Sequence, residues 1–559
     1  MAYFVQPHII ITFWARRQGE QRSNCKSYLT CRHLFFRIKK NIQMKNILST
    51  SIMFLLLNHC FSQSLNLEWV TLINTNKSQI TGSELREDNK LLIRGFYQDY
   101  IEINGDTVIS ESDEKQDSYL LELSEEGKID WAQRFELTSG EVYNRISSFN
   151  NHIYNHGWLL SYPVTSDAIE IHEIPINSKD TLFTFPGGDS DFDGNGNLYI
   201  SGAIRDSFDF DPGPNSETQV AIKGDAYVAK YSNTRNLIWV KSFLGLGWES
   251  GWRVEVDNAS NVIMASRLTD SIDIDPSIVG YELPNGEGQS NSFFIVKLSS
   301  EGDLLWYEGL DCNNRVQIND IATDENNNVF ITGSFVGRLN YTINGVRDSL
   351  ISINADSSFP KEDAFVAKLS SEGEFEWVNH IGGTDDVYGI EVKVDHLGNV
   401  FNIGSYYDTL YIKSSIDSIF VSNGFSDSYL SICDNSGNAI FSNTYGGSGF
   451  DWARNIHLDD SLNFYLISGF SDEIDIDFGV GEFKINPGGS GSSFVGKYRY
   501  CLPNIIEEPY NGIDDDCNTL TLDDDLDQDG FLLANDCDDN NSNINPDQTE
   551  EPYNGIDDD

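Results

Sequence analysis

Between residues 65 and 499 apolar and polar positions alternate in short runs, and few windows hold a helical period. One run returns repeatedly. Asp117-Ser-Tyr-Leu-Leu-Glu-Leu leads through Glu125-Glu-Gly127 to Trp131, and Asp225-Ala-Tyr-Val-Ala-Lys-Tyr leads to Trp239. Asn291-Ser-Phe-Phe-Ile-Val-Lys runs through Gly302 to Trp306, Asp363-Ala-Phe-Val-Ala-Lys through Gly373 to Trp377, and Asp427-Ser-Tyr-Leu-Ser-Ile through Gly437 to Phe441. A period of two places successive side chains on opposite faces of a strand. With a turn of Ser, Gly or Asn and a second strand bearing an aromatic, each run predicts a β-hairpin.

A further strand follows most hairpins. It reads Asp395-His-Leu-Gly398-Asn-Val-Phe-Asn-Ile-Gly404, with copies at Asp193 to Gly202, Asp324 to Gly333 and from Asp257. A third element alternates Asp with apolar residues: Phe208-Asp-Phe-Asp-Pro212, Ile272-Asp-Ile-Asp-Pro276 and Ile474-Asp-Ile-Asp-Phe478. Four short strands recurring about every 60 residues predict an all-β chain built as a β-propeller. The aromatic landmarks fall at 69, 131, 239, 306, 377 and 441. The long step from 131 to 239 accommodates two shortened units, around Trp158 and Leu198, which makes seven blades; six or eight also fit the spacing.

The ends of this stretch complement each other. Leu67-Glu-Trp69-Val is an aromatic strand without its first strand, and Ser493-Phe-Val-Gly-Lys497-Tyr is a first strand without its partner. Pairing them closes the ring and removes two open sheet edges. The motif set D-x-[FY]-V-x-K, S-x-x-G-x-x-x-W and G-N-V-[FY]-x-x-G resembles the SBBP-type bacterial β-propeller repeat over nearly all of 65–499, with the stretch 140–190 departing from it.

The first 43 residues are of another kind, basic and aromatic with a single acid, Glu20. Met44-Lys45-Asn46 then opens a secretory-signal pattern: a charged start, an apolar run Ile47 to Leu57, and Cys60 and Ser62 at the positions before cleavage. The expectation is a true start at Met44 and a mature chain from about Gln63; an amphipathic extension with its own role is the alternative. Without residues 1–62, 28 Lys+Arg face 86 Asp+Glu, a net −58. Such a polyanion is repelled by nucleic acid and by anionic membranes. No later apolar run approaches the ~20 residues a membrane helix needs. A secreted or surface-exposed, monomeric protein is expected.

The last segment is the most chemically specific. Glu507 to Asp516 reads EEPYNGIDDD and recurs at Glu550 to Asp559. From Cys501 onward there are 19 Asp or Glu and no Lys or Arg. Asp525, Asp527, Asp529 and Asp536 stand at positions 1, 3, 5 and 12 of a loop with Gly530 at 6, the ligand spacing of an EF-hand-type calcium loop. The carbonyl of Phe531 supplies a fifth ligand; Asp514 with Asp516, and Asp538 with Asn540, are candidates for neighbouring ions. The alternative is a merely acidic, uncompensated tail. The pattern NGIDDDC, DxDxDG, Asp536-Cys537-Asp538-Asp539-Asn540 and Asn545-Pro546 resembles the metal-binding repeat of the MopE type and is similar to thrombospondin type 3 repeats, which implies a calcium-stiffened stalk. The MopE name implies copper, but a segment with no His, Met or Trp favours calcium. Of the five cysteines after residue 63, Cys501, Cys517 and Cys537 lie here, and the second copy stops where the first continues into Cys517, as a truncated sequence would.

No catalytic constellation is evident. His152 and His156 lack the Glu an HExxH zinc site requires. Gly382-Gly383 and Gly446-Gly447 sit at turns between strands with no following helix to cradle phosphate. The Asp pairs 209/211 and 475/477 read as solvated strand faces ending at turns before they read as calcium ligands or acid–base pairs. Two functions follow: a non-enzymatic binding, adhesion or structural protein presenting propeller loops to an extracellular protein or glycan, or a secreted propeller hydrolase acting on glycans.

Overall fold

The computed structural model describes residues 65–500, apart from short internal stretches of which 110–116, 160–168, 176–182, 276–281 and 284–291 are the longest. Between 141 and 186 it describes backbone strands only. All described residues belong to the second of two units, Gln63–Asp559. The basic leader and the nine metal-ligand candidates from Asp514 to Asn540 lie outside the described residues.

Every regular element among the described residues is a β-strand, and they group into antiparallel modules of four. In each, the second strand pairs with the first and the third, and the third pairs with the fourth. We letter them in chain order. Module A comprises the second half of the long strand Leu65–Leu85, then Leu91–Ile103, Asp117–Leu123 and Ile129–Phe135. Module B holds Glu141–Phe149, His152–Leu159, Ile169–Pro175 and Phe183–Pro186. Module C holds Asp189–Phe192, Leu198–Ile204, Asp225–Tyr231 and Leu237–Phe243. Module D holds Ser250–Val256, Val262–Leu268, Ser292–Leu298 and Leu304–Cys312. Module E holds Arg315–Thr323, Val329–Val336, Asp363–Leu369 and Phe375–Gly383. Module F holds Val387–Val394, Val400–Tyr406, Asp427–Cys433 and Ala439–Gly447. Module G has Trp452–Leu458, Asn463–Phe470 and Gly491–Tyr500, and takes its fourth strand from the first half of Leu65–Leu85.

That last pairing joins the chain ends, as the complementary end sequences imply. Leu65 lies opposite Tyr500 and Thr75 opposite Gly491, and past a series of bulges the same strand runs on beside Leu91–Ile103. The first strands of successive modules touch one another from A through G, and G touches A. The architecture is a β-propeller. Second and third strands are largely buried, and Val329–Val336 and Asp363–Leu369 are so along their whole length, because each sheet is covered on both faces by its neighbours. That is why these runs are so apolar at both parities. The core is correspondingly divided into clusters between neighbouring modules, one joining Ile263 and Ile295 of D to Val316, Ile331 and Phe365 of E.

The repeated motifs have physical causes. The Asp of the turn before each second strand accepts backbone N–H bonds from the residues two and four positions on, and the Asn four positions on donates its side-chain amide back. Asp193/Asn197, Asp257/Asn261, Asp324/Asn328, Asp395/Asn399 and Asp459/Asn463 all do this. The tryptophans tie one module to the next. Trp239 Nε1 donates to the Ser300 carbonyl at 3.0 Å, Trp306 to Ser371 at 2.8 Å and Trp377 to Asn435 at 3.1 Å. In each acceptor turn a left-handed glycine (Gly302, Gly373 or Gly437) lies under the indole, where a Cβ would stand about 2.6–3.1 Å from ring atoms. Module F carries Phe441 at this position. Its neighbour G has no turn between third and fourth strands, since these are opposite chain ends, and the phenyl packs edge-on against Phe478 at 6.1 Å.

One local expectation changes. Gly382-Gly383 and Gly446-Gly447 are the ends of fourth strands and pair with the excursion strands at Leu410 and at Ile474, rather than forming turns. The strand Ser207–Asp209 is exposed along its length, in keeping with a solvated face that ends at a turn, and the carboxylates hold the turns: Asp209 Oδ1 accepts from the Asp211 and Glu217 amides, and Asp475 Oδ1 from those of Asp477 and Phe483. His152 and His156 fall on a strand whose side chains lie outside the described residues.

Candidate functional site

Each first strand whose pairing shows it carries a β-bulge at the same place. The register shifts between Ile80 and Gly82, Tyr143 and Arg145, Gly251 and Arg253, Ile318 and Asp320, Gly389 and Glu391, and Ala453 and Asn455. A bulge bends the strand and re-aims one side chain. The extra residues Thr81, Trp252, Asn319, Ile390 and Arg454 all line one central cavity of about 550 Å³, a volume suited to a small ligand.

Side chains at or near this level of the first strands latch each strand to its neighbour. Asp189 accepts from the Val254 amide at 3.1 Å, Asp320 from Val392 at 3.2 Å and Glu391 from Ile456 at 2.6 Å. Arg253 donates to the Asn319 carbonyl and Asn319 to that of Gly389. Between G and A, His457 and Ser83 meet at 2.8 Å. The cavity wall is thereby fixed from several sides.

Carboxylates on the wall are already engaged. Glu362 is bound by Arg315 and by the Ser334 hydroxyl. Glu391 faces Lys393 at 3.3 Å, and Asp451 accepts from the Gly447 amide at 2.6 Å. The donors are less well matched. Arg454 Nε, Trp252 Nε1, Trp452 Nε1 and Thr81 Oγ1 are buried with no hydrogen-bond partner, although buried polar groups are normally satisfied. The Arg454 guanidinium lies 5.8 Å from the Trp452 ring centroid, and burial pushes its pKa down to about 10.

Phe425 and Phe450 stack at 4.7 Å with both rings largely exposed, beside the lining residues Ser426 and Asp451. Trp248, also exposed, occupies the equivalent loop between modules C and D, with Arg205 5.5 Å from its ring. Among the described residues no group of three or more His, Cys, Asp or Glu could hold a metal, and the ligand set proposed from sequence lies elsewhere in the chain.

None of the cavity residues was identified from sequence. A signal existed. Thr81, Trp252, Asn319, Ile390 and Arg454 each stand five positions before the residue that opens the following turn.

No protein-family model matches this sequence. It is 26% identical over 208 residues to the uncharacterized WD repeat-containing protein L264 of Acanthamoeba polyphaga mimivirus, a match covering 36% of this chain and 14% of that protein. Among solved structures it is similar to the Dos1 propeller, at 7% identity and a TM-score of 0.37 over 78% of this chain and 95% of that one. It is also similar to Sqt1 from Chaetomium thermophilum, at 9% identity and a TM-score of 0.37 over 72% and 97%. The propeller assignment rests on the strand pairing described above.

Proposed function

We propose that this chain is an exported, non-enzymatic binding protein: a seven-bladed propeller whose loop face engages an extracellular protein or glycan, followed by an acidic segment that calcium stiffens. The observation that carries the binding role is the central cavity, walled by latched strands and opening beside the exposed Phe425–Phe450 pair. A fixed concave site with a few polar groups is the usual form of a ligand site, and desolvating the two phenyl rings favours a partner covering them. The SBBP-like motifs support a bacterial surface or secreted setting, and the MopE-like segment supports a stalk in which Asp525, Asp527, Asp529, the Phe531 carbonyl and Asp536 hold one calcium ion. Asp514, Asp516, Asp538 and Asn540 serve neighbouring ions. Residues 44–62 are the export signal, the body acts as a monomer, and nucleic acid is not a partner.

A hydrolase reading has one observation in its favour: burial raises the Asp451 carboxyl to about 6, the range of a general acid, and Asp451 lines the cavity. Its oxygens accept amide bonds from Gly447 and Ser471, which assigns it to holding the loop. Capture on a panel of extracellular glycans and matrix proteins tests the proposal. Binding weakened by Phe425→Asp with Phe450→Asp supports it, whereas glycan cleavage abolished by Asp451→Asn would replace it with the hydrolase.

A further inference from the structure

We propose that the central cavity binds a sugar acid, a polyhydroxylated monocarboxylate, with Arg454 as the carboxylate's partner; this inference rests on the binding role proposed above. The first argument is the imbalance of the wall. Every lining carboxylate already has a donor, while Arg454 Nε, two indole N–H groups and the Thr81 hydroxyl have no acceptor. These atoms are fully covered, so the imbalance marks a wall short of acceptors and not contacts that a ligand makes. The second argument is charge. Arg253 is turned to backbone, donating to the Asn319 and Trp252 carbonyls, which leaves Arg454 as the lining cation facing the cavity without an anion. A planar guanidinium matches a carboxylate through two parallel bonds. With Glu362, Glu391 and Asp451 on the same wall and a formal charge of −50 on the chain, a single delocalised charge is tolerated where a phosphate dianion is repelled.

The third argument is the remaining lining. Asn455 and Ser250, beside the already bonded Gln317 and Asn319, offer donors and acceptors, as hydroxyl groups require, and Trp252, Trp452, Tyr388 and Tyr407 contribute aromatic surface for the C–H face of a ring. Arg454 also fits the pattern of a functional residue held at the expense of stability.

Calorimetric titration of the full chain with glucuronate and with glucose tests this, using wild type, Arg454→Gln, Arg454→Lys and Trp252→Phe. The expected result is glucuronate binding, weakened about tenfold or more by Arg454→Gln and less by Arg454→Lys, which keeps the charge but loses the fork. Glucose should bind at least about tenfold more weakly than glucuronate. Arg454→Gln should melt no lower than wild type, since an unpaired buried charge is removed, so lost binding cannot be assigned to misfolding. Equal binding of the two sugars, no binding of glucuronate, or full binding by Arg454→Gln overturns the proposal. Capture of a macromolecular partner that depends on Phe425 and Phe450 but not on Arg454 would leave the binding role standing and remove the sugar-acid inference alone.

Discussion

Trp69 lies across Gly127. Its Nε1 donates to the Glu125 carbonyl at 2.8 Å, and a β-carbon on Gly127 would stand 2.5 Å from Cε3 of the indole. The same clasp joins C to D, D to E and E to F, but here it spans the seam between chain ends, because Trp69 sits on the strand that completes module G while Gly127 belongs to A. Trp69→Phe removes the hydrogen bond and should cost about 1–2 kcal/mol. Gly127→Ala adds a β-carbon to a filled space at a φ of +73° and should cost more, about 2–4 kcal/mol. Urea denaturation measures both; a Gly127→Ala protein as stable as wild type would show that strand pairing alone holds the seam.

Asp427 and Asp451 share too few donors. In modules C and E the glycine N–H at the end of the fourth strand goes to the Asp that opens the third: Gly245 to Asp225 at 3.0 Å and Gly383 to Asp363 at 3.1 Å. In F the equivalent Gly447 N–H goes to Asp451, and Asp427 Oδ1 is left buried and unpartnered. Burial raises both carboxyls to about 6, and raises Glu308 to about 7. A carboxyl whose folded pKa lies above its unfolded value of 3.8 contributes stability fully below about 3.8 and loses it as pH rises through 6. The melting temperature should therefore be higher at pH 5 than at pH 7.5, and Asp427→Asn should flatten the difference. A melting curve that rises with pH over this interval would contradict the assignment.

Calcium should act on the acidic segment and leave the propeller's melting unchanged. The excursion carboxylates Asp209 and Asp475 are engaged by backbone amides, so chelation has no described site to empty. Titration with calcium should show Asp527→Ala with Asp529→Ala losing about one ion per chain, with chelator changing the hydrodynamic radius of the whole protein. Unchanged stoichiometry in the double variant would disprove the loop assignment.

Cys312 and Cys433 are buried free thiols, and burial pushes the Cys433 pKa up to about 12. Because the thiolate is the reactive form, neither should react with an aromatic disulfide reagent until the propeller unfolds. Peptide mapping of the native protein checks this; prompt labelling at either position would show the core to be more open than described.

The strands, hairpins and complementary ends were legible because a period of two survives in any window and the motif supplies its own repeats. The function of the motif was not. Trp239 reads as an aromatic that packs between sheets, but its acceptor, Ser300, lies in another module, and no local pattern names a neighbour's carbonyl. Nor does the sequence separate a carboxylate that binds metal from one like Asp475, whose Oδ1 accepts two amides of its own turn. The cavity was hidden for a different reason: a bulge interrupts the alternation by which strand faces are assigned, so Arg454 and Trp252 read as ordinary strand positions.

The strand shared by the two ends sets a timetable for synthesis. Residues 65–75 leave the ribosome first among the described strands, yet their partner, Gly491–Tyr500, is made last. At about 5–20 residues per second the wait is of the order of 20–80 s. Through that interval the intermediate modules acquire their neighbours one by one, while the outer edge of A and the apolar side of the newest module remain unpaired. For a chain with a formal charge of −50, mutual repulsion between growing copies opposes the meeting of those edges before the last strand arrives.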